Sequence, residues 1–200
     1  MKKVLVIGAT GAVGQAVVSE LAARHEVIQA SRASATHPVD IHQPDSIRAL
    51  FEKTGKLDAI VATVGNLHFG PLAEMTGEQF RIGLNSKLMG QVEIALAGQH
   101  WLNDGGSITL TSGIVSEEPI RFGANATAVN HAVEGFVRGA AIELVRGLRI
   151  NVVSPTVLEE SLPSYGSYFI GFEAAPARRV ALAYARSVDG AQTGQVYRVW

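Results

Sequence analysis

The sequence predicts an α/β fold: a single domain with a doubly wound parallel sheet of about seven strands and helices on both faces. Three observations predict it. Short aliphatic and β-branched runs alternate along the whole chain with longer segments whose apolar residues recur at helical spacing. The chain opens on such a run, Val4-Leu5-Val6-Ile7, and passes through Gly8, Gly11 and Gly14 into a helix. Its 200 residues, 47% of them hydrophobic, suffice for one well-buried core and do not call for two domains. Right-handed crossovers then place helices on both faces, in the strand order 3-2-1-4-5-6-7.

The opening turn carries the most chemistry. Gly8 and Gly11, with Thr10 between them, let the backbone turn tightly and approach a bound anion; Ala12, Val13 and Gly14 begin a helix whose unpaired N–H groups face the same point. Gly14 also permits close packing of helix on strand. A glycine turn that follows a strand and opens a helix is the phosphate-binding element of a Rossmann dinucleotide fold. The helix ends near Arg24, and Glu26 to Ser31 forms the second strand, followed by Arg32. At this strand end a carboxylate meets an adenosine 2′-hydroxyl, whereas an arginine neutralises a 2′-phosphate. Ser31-Arg32, without Asp or Glu, therefore favours NADP(H) over NAD(H).

Thr36 to Ile41 is expected as a short third strand ending in Asp40-Ile41, and Pro44-Asp45-Ser46 starts a helix to about Lys53, with Asp45 or Ser46 as its cap. Leu57 to Ala62 is the fourth strand. Its exit, Thr63-Val64-Gly65-Asn66, is made of small residues at the carboxyl end of a parallel strand, where ligands bind, and leaves room for a ribose. From Thr76 a long helical region (76–102) carries Phe80, Leu84, Leu88, Val92 and Leu96, with Asn85 in its middle; Gly83, Gly90 and Gly98 predict a bend or an unusually close neighbour. Ser107 to Ser112 is the fifth strand. Residues 124–146 form a second long helix with Val129, Val133, Phe136, Val137, Ala140, Ala141 and Leu144 on its apolar stripe. Arg149 to Val153 is the sixth strand, leading to Ser154-Pro155-Thr156. Residues 156–174 are rich in Gly, Ser and aromatics without a period and read as an irregular lid; Pro176 to Ser187 is a final helix and Gly194 to Trp200 a last strand.

Composition narrows the partners. A formal net charge of −1 and the lack of any basic run give no footprint for nucleic acid, so the partner is a small molecule. The chain has no cysteine, which excludes disulfides and thiolate chemistry and suggests a cytoplasmic location. The first apolar run is too short for a signal-peptide core, and nothing approaches the roughly 20 apolar residues of a membrane span. No metal is expected.

Taken in order, these pieces resemble the short-chain dehydrogenase/reductase family over nearly the whole chain. The matching residues are Gly8-x-x-Gly11-x-x-Gly14, Asp40-Ile41 at the family's adenine-contacting position, Thr63-Val64-Gly65 where the family has Asn-Ala-Gly, Asn85, the strand ending in Ser112, Arg149-Ile150-Asn151-Val152-Val153-Ser154-Pro155, and Thr193-Gly194-Gln195. The three-and-three glycine spacing is that of atypical members. The resemblance implies that Ala62 to Gly65 and the segment Pro155, Thr156 and Val157 contact the cofactor, although Thr156 stands where the family has glycine.

The family's chemistry uses Asn, Ser, Tyr and Lys, and the resemblance assigns Asn85 and Ser112 to the first two roles. Aligning Glu134-Gly135-Phe136 places Ala126 at the tyrosine and Asn130 at the lysine. Alanine has no proton to give and asparagine no charge. Two functions follow. One is an NADP(H)-dependent oxidoreductase of small carbonyl or alcohol substrates with another proton donor, drawn from Tyr165, Tyr168, His131 or Lys87; the other is a catalytically degenerate NADP(H)-binding protein, a redox sensor or interaction module. The family commonly pairs its two long helices, which implies a homodimer or homotetramer.

Overall fold

The computed structural model describes all 200 residues. Its strands are β1 (Lys3–Ile7), β2 (Glu26–Ala30), β3 (Leu57–Ala62), β4 (Leu102–Thr111), β5 (Arg149–Pro155) and β6 (Val196–Val199). They form one sheet in the order β2-β1-β3-β4-β5-β6, and every ladder is parallel. The expected third strand, Thr36 to Ile41, is not one. Ser31 makes a single bridge to Pro38, and the N–H groups of Ser31 and Val39 bond the carbonyls of His37 and Ser31, so this segment folds back over the end of β2. Its apolar residue Val39 plugs the core instead of extending the sheet. With that strand removed, the expected order stands, and the sheet has six strands rather than seven.

The helices are α1 (Ala12–Ala22), α2 (Pro44–Thr54), α3 (Gly77–Gly83), α4 (Met89–Gly98), α5 (Ala124–Glu143), α6 (Leu162–Tyr165) and α7 (Ala177–Asp189). Side chains of β1 alternate between two cores, as the period of a strand requires: Leu5 and Ile7 pack towards α2, α4 and α5, whereas Val4 and Val6 pack towards α1 and α7. No helix is long and apolar enough to cross a membrane.

Two local expectations change. Pro44 occupies the first turn of α2 and Gln43 precedes it, so neither Asp45 nor Ser46 caps the helix; the Ser46 hydroxyl accepts the Asp40 N–H at 2.9 Å and Asp45 pairs with Arg48. The lid contains short helical turns, including α6, and its stem is stitched: Leu158 bridges Ala175, and the Thr156 hydroxyl donates to the Glu173 carbonyl at 2.9 Å.

The long helical region from Thr76 is interrupted, and its glycines explain where. A Cβ on Gly83 would stand 2.3 Å from Asn125 Oδ1, one on Gly90 2.8 Å from Ile41 Cδ1, and one on Gly98 2.5 Å from Ile60 Cδ1. Each glycine marks a close neighbour. Between α3 and α4 the chain widens into a π turn over Leu84–Leu88. A π turn rotates the side chains that follow it, and it frequently accompanies a functional site.

Candidate functional site

A cavity of about 390 Å³ opens at the carboxyl ends of β1, β2 and β3, with Gly8, Thr10 and Gly11 on one side and Thr63, Val64 and Gly65 on the other. Gly8 adopts φ +92°, and a Cβ there would stand 2.5 Å from the Thr63 carbonyl oxygen. A Cβ on Gly14 would stand 2.1 Å from the Gly8 carbonyl oxygen, so α1 lies against the turn at the closest approach glycine allows. Gly11 precedes α1 with no side-chain cap, and the N–H groups of Ala12, Val13 and Gly14 have no backbone acceptor. That end of α1 therefore offers a cradle of N–H donors with the positive end of the helix dipole.

The side of the cavity around the end of β2 is lined by Ser31, Arg32, Ile41 and His42. Ser31 is buried and its hydroxyl has no partner, while Arg32 is exposed beside it. An orphaned hydroxyl beside a free guanidinium fits an anionic oxygen. Asp40 is absent from this wall. Its carboxylate accepts from the His42 N–H at 3.0 Å and from His42 Nδ1 at 2.9 Å, and these hydrogen bonds hold it below the usual carboxylate range. Ala62 also supports the cavity without lining it: its carbonyl accepts the Thr111 hydroxyl at 2.6 Å.

A second cavity, about 320 Å³, shares Gly65 and Asn66 with the first. Leu67, Phe69, Val157, Leu158, Tyr165 and Phe169 make its wall predominantly apolar and aromatic. Phe69 lies 5.9 Å from the Tyr165 ring and 5.1 Å from the Tyr168 ring, which fastens the lid over this end. Of the segment after β5, Val157 faces this cavity; Thr156 is spent on Glu173.

Both residues expected to be catalytic are placed elsewhere. Asn85 is exposed, because the π turn carries it outwards, and it lines neither cavity. Ser112 is buried at 2% exposure and its hydroxyl donates to Glu134 Oε1 at 2.8 Å beneath α5. A Cβ on the next residue, Gly113, would make ordinary contact with Asn130 Nδ2 at 3.7 Å. Ala126 and Asn130 are also buried.

Behind the lip that the two cavities share lies Lys87, buried and outside both linings. Its Cα and Cβ lie 2.4 and 2.6 Å from where a Gly65 Cβ would stand, which only glycine at φ +112° allows, and its Nζ donates to the Ser112 carbonyl at 3.0 Å. Burial lowers its ammonium to about 8, and Glu134 works in the opposite direction. Glu134 Oε1 accepts from Ser112 and from Ser116 at 2.8 and 2.7 Å, and its Oε2 has no hydrogen-bond partner. Gln91 completes the support: its side-chain amide accepts the Thr111 N–H at 2.7 Å and donates to the Thr111 carbonyl at 2.9 Å, which fixes the end of β4. Sequence reasoning passed over Glu134 and Gln91 and ranked Lys87 among several. The available signal was spacing: Lys87, Gln91 and Ile94 follow a buried helical stripe, and Glu134 lies between Val133 and Val137 on another.

The family model described as enoyl-(acyl carrier protein) reductase matches residues 5–194. The crystal structure of the protein lin1944 from Listeria innocua is 48% identical, covers 100% of both chains and superposes with a TM-score of 0.97. A small-chain dehydrogenase in complex with NADPH is 27% identical over 98% of this chain and 95% of its own, with a TM-score of 0.88. A hydroxynaphthalene reductase-like protein from Metarhizium brunneum is 28% identical over 179 residues, 77% of this chain and 67% of that protein.

Proposed function

The chain belongs to the short-chain dehydrogenase/reductase family, and from that premise we propose that it is an NADP(H)-dependent oxidoreductase acting on a small, largely apolar carbonyl or alcohol. The observation that carries this reading is the continuity of the two cavities at Gly65 and Asn66, one ending in a phosphate cradle and the other in an aromatic pocket. NADP(H), when bound, supplies or accepts the hydride. Gly8, Gly11 and the first turn of α1 hold the pyrophosphate, Ser31 and Arg32 the 2′-phosphate, Ile41 the adenine, and Thr63 to Gly65 the ribose. Phe69, Tyr165 and Phe169 exclude water and select a flat apolar substrate. The NADPH-bound relative supports the cofactor choice.

Calorimetric titration with NADPH and NADH, followed by absorbance assays with aldehydes, ketones and quinones, tests the reading. Binding of NADPH with oxidation by at least one carbonyl is expected. Binding without oxidation across the panel would leave a dinucleotide-holding module in its place.

Arg32→Ala is expected to raise the NADPH dissociation constant about 10- to 100-fold, the value of a charge-assisted hydrogen bond, and to leave NADH unchanged. Equal NADPH affinities for the two proteins would remove Arg32 from the site.

Association into a homodimer or homotetramer is part of the same proposal. The outer faces of α4 and α5 flank an apolar hollow between Leu96, Phe136, Gly139 and Ala140, and Leu96 and Ile142 remain 47% and 87% exposed. Gly139→Arg, at a position with nothing within 4 Å of a Cβ, is expected to release monomers in light scattering. A monomeric mass for the unaltered protein would discard this interface.

A further inference from the structure

The missing phenol leaves the proposed reaction without its proton, and the structure holds one other group at the right place. Lys87 lines neither cavity but lies directly behind the lip they share, its stem against the backbone of Gly65 and its ammonium at the carboxyl end of β4. One of its three N–H bonds goes to the Ser112 carbonyl, and the other two have no protein partner. A buried ammonium with unfilled donors is expensive unless a ligand completes it. Across Gly113, Asn130 is in the converse state. Its Nδ2 donates to the Ala126 carbonyl at 2.9 Å, which fixes the amide's orientation because a carbonyl can only accept, and its buried Oδ1 has no partner. Unfilled donors and an orphaned acceptor thus flank the same strand end.

We propose that Lys87 is the general acid of this enzyme, giving a proton to the substrate oxygen, and that Asn130 Oδ1 positions the resulting hydroxyl by accepting from it. The inference rests on the oxidoreductase reading above. In carbonyl reduction the carbon gains hydride and the C=O π pair moves to oxygen; an N–H bond of Lys87 breaks as the O–H bond forms, and the neutral amine regains its proton from solvent. Oxidation of an alcohol runs the same transfer backwards, with the neutral amine as base.

The other donors fit less well. Tyr165 lines the second cavity but is 44% exposed and, like Tyr168, is held in the lid against the Phe69 ring, while His131 Nδ1 stands 3.3 Å from the Ser116 carbonyl on an exposed part of α5. An ammonium that titrates at about 8 matches a working pH near neutrality, where proton transfer is most efficient. Glu134 of α5 is the charged group that faces Lys87; β4 and the segment after β3 present Thr111, Ser112 and Gly65, which do not titrate. The reduction rate should therefore fall as pH rises through about 8, where Lys87 loses its proton.

The test compares the unaltered protein with Lys87→Met and Lys87→Arg by NADPH calorimetry, NADPH-driven reduction of an aldehyde and ketone panel, and NMR titration of the Lys87 side chain without cofactor. Expected are an NMR inflection near pH 8, a loss of kcat on the order of 100-fold or more in Lys87→Met, and NADPH affinity changed less than about threefold. Lys87→Arg, which keeps the charge but holds its proton, should not restore kcat. Retained NADPH binding also shows that a variant is folded; if Lys87→Met does not fold, the NMR inflection and the arginine variant decide. An inflection above pH 10, or undiminished kcat in Lys87→Met, overturns the assignment. Binding of NADPH by the unaltered protein without reduction of any carbonyl overturns Lys87 as acid and leaves the dinucleotide site standing. No binding of NADPH removes both.

Discussion

Gly14→Ala is expected to lose dinucleotide binding by more than about 100-fold and to lower the melting temperature by roughly 6–12 °C, as overpacking worth ~3 kcal/mol would in a chain of this size. The added Cβ would stand 2.1 Å from the Gly8 carbonyl oxygen, 2.8 Å from its carbon and 2.9 Å from Ala9 Cα. All three are backbone atoms, so no side chain can rotate away. Relief requires α1 to move off β1, and that movement withdraws the N–H groups of Ala12 and Val13 from the point they share with Gly11. Gly11→Ala is the useful contrast, because its Cβ would meet nothing closer than the Gly8 carbonyl oxygen at 3.6 Å. Melting curves and NADPH calorimetry on both variants check this; a Gly14→Ala protein that melts and binds normally would mean that the helix is not seated as described.

Glu134→Ala is expected to cost about 3–5 kcal/mol of stability, the range for removing one partner of a buried charge network. Its carboxylate is fully buried and accepts from both Ser112 and Ser116, and it is the charged group that faces Lys87. Truncation strands two hydroxyls and an ammonium together. Arg138 reaches Glu134 Oε2 only at 3.8 Å from an exposed position and cannot substitute. Glu134→Gln, which keeps an acceptor for the hydroxyls but not the charge, should cost less. Denaturant unfolding of the two variants measures the difference, and a loss under about 1 kcal/mol for Glu134→Ala would mean the network is not a structural unit.

The glycine turn was legible because its signal is local. Gly8, Gly11 and Gly14 lie within one strand-turn-helix unit, and the backbone conformations they permit belong to glycine itself. Ser31 and Arg32 reach the cavity for the same reason, since the end of a strand adjacent to β1 has one place to go. Thr36 to Ile41 misled because a short apolar segment reads alike as a strand and as a core plug; Val39 is buried either way. Asn85 misled because an uninterrupted helix and a π turn with the same residues differ in which side chains face inwards. That choice is made by Asn125 and Ile41 pressing against Gly83 and Gly90 from far along the chain.

The sequence by itself determined the alternation of strand and helix, the order of the strands around β1, and the turn that can hold a phosphate. Each follows from periodicity and backbone freedom within a few consecutive residues. Only the tertiary structure decided which side chains gather behind the shared lip of the cavities: it turned Ser112 under α5 onto Glu134, sent Asn85 to the surface and brought Lys87 beneath Gly65. The physical reason is that a buried charge is tolerable only beside partners, and the partners of Lys87 lie 25 residues away at Ser112 and, on another helix, at Glu134.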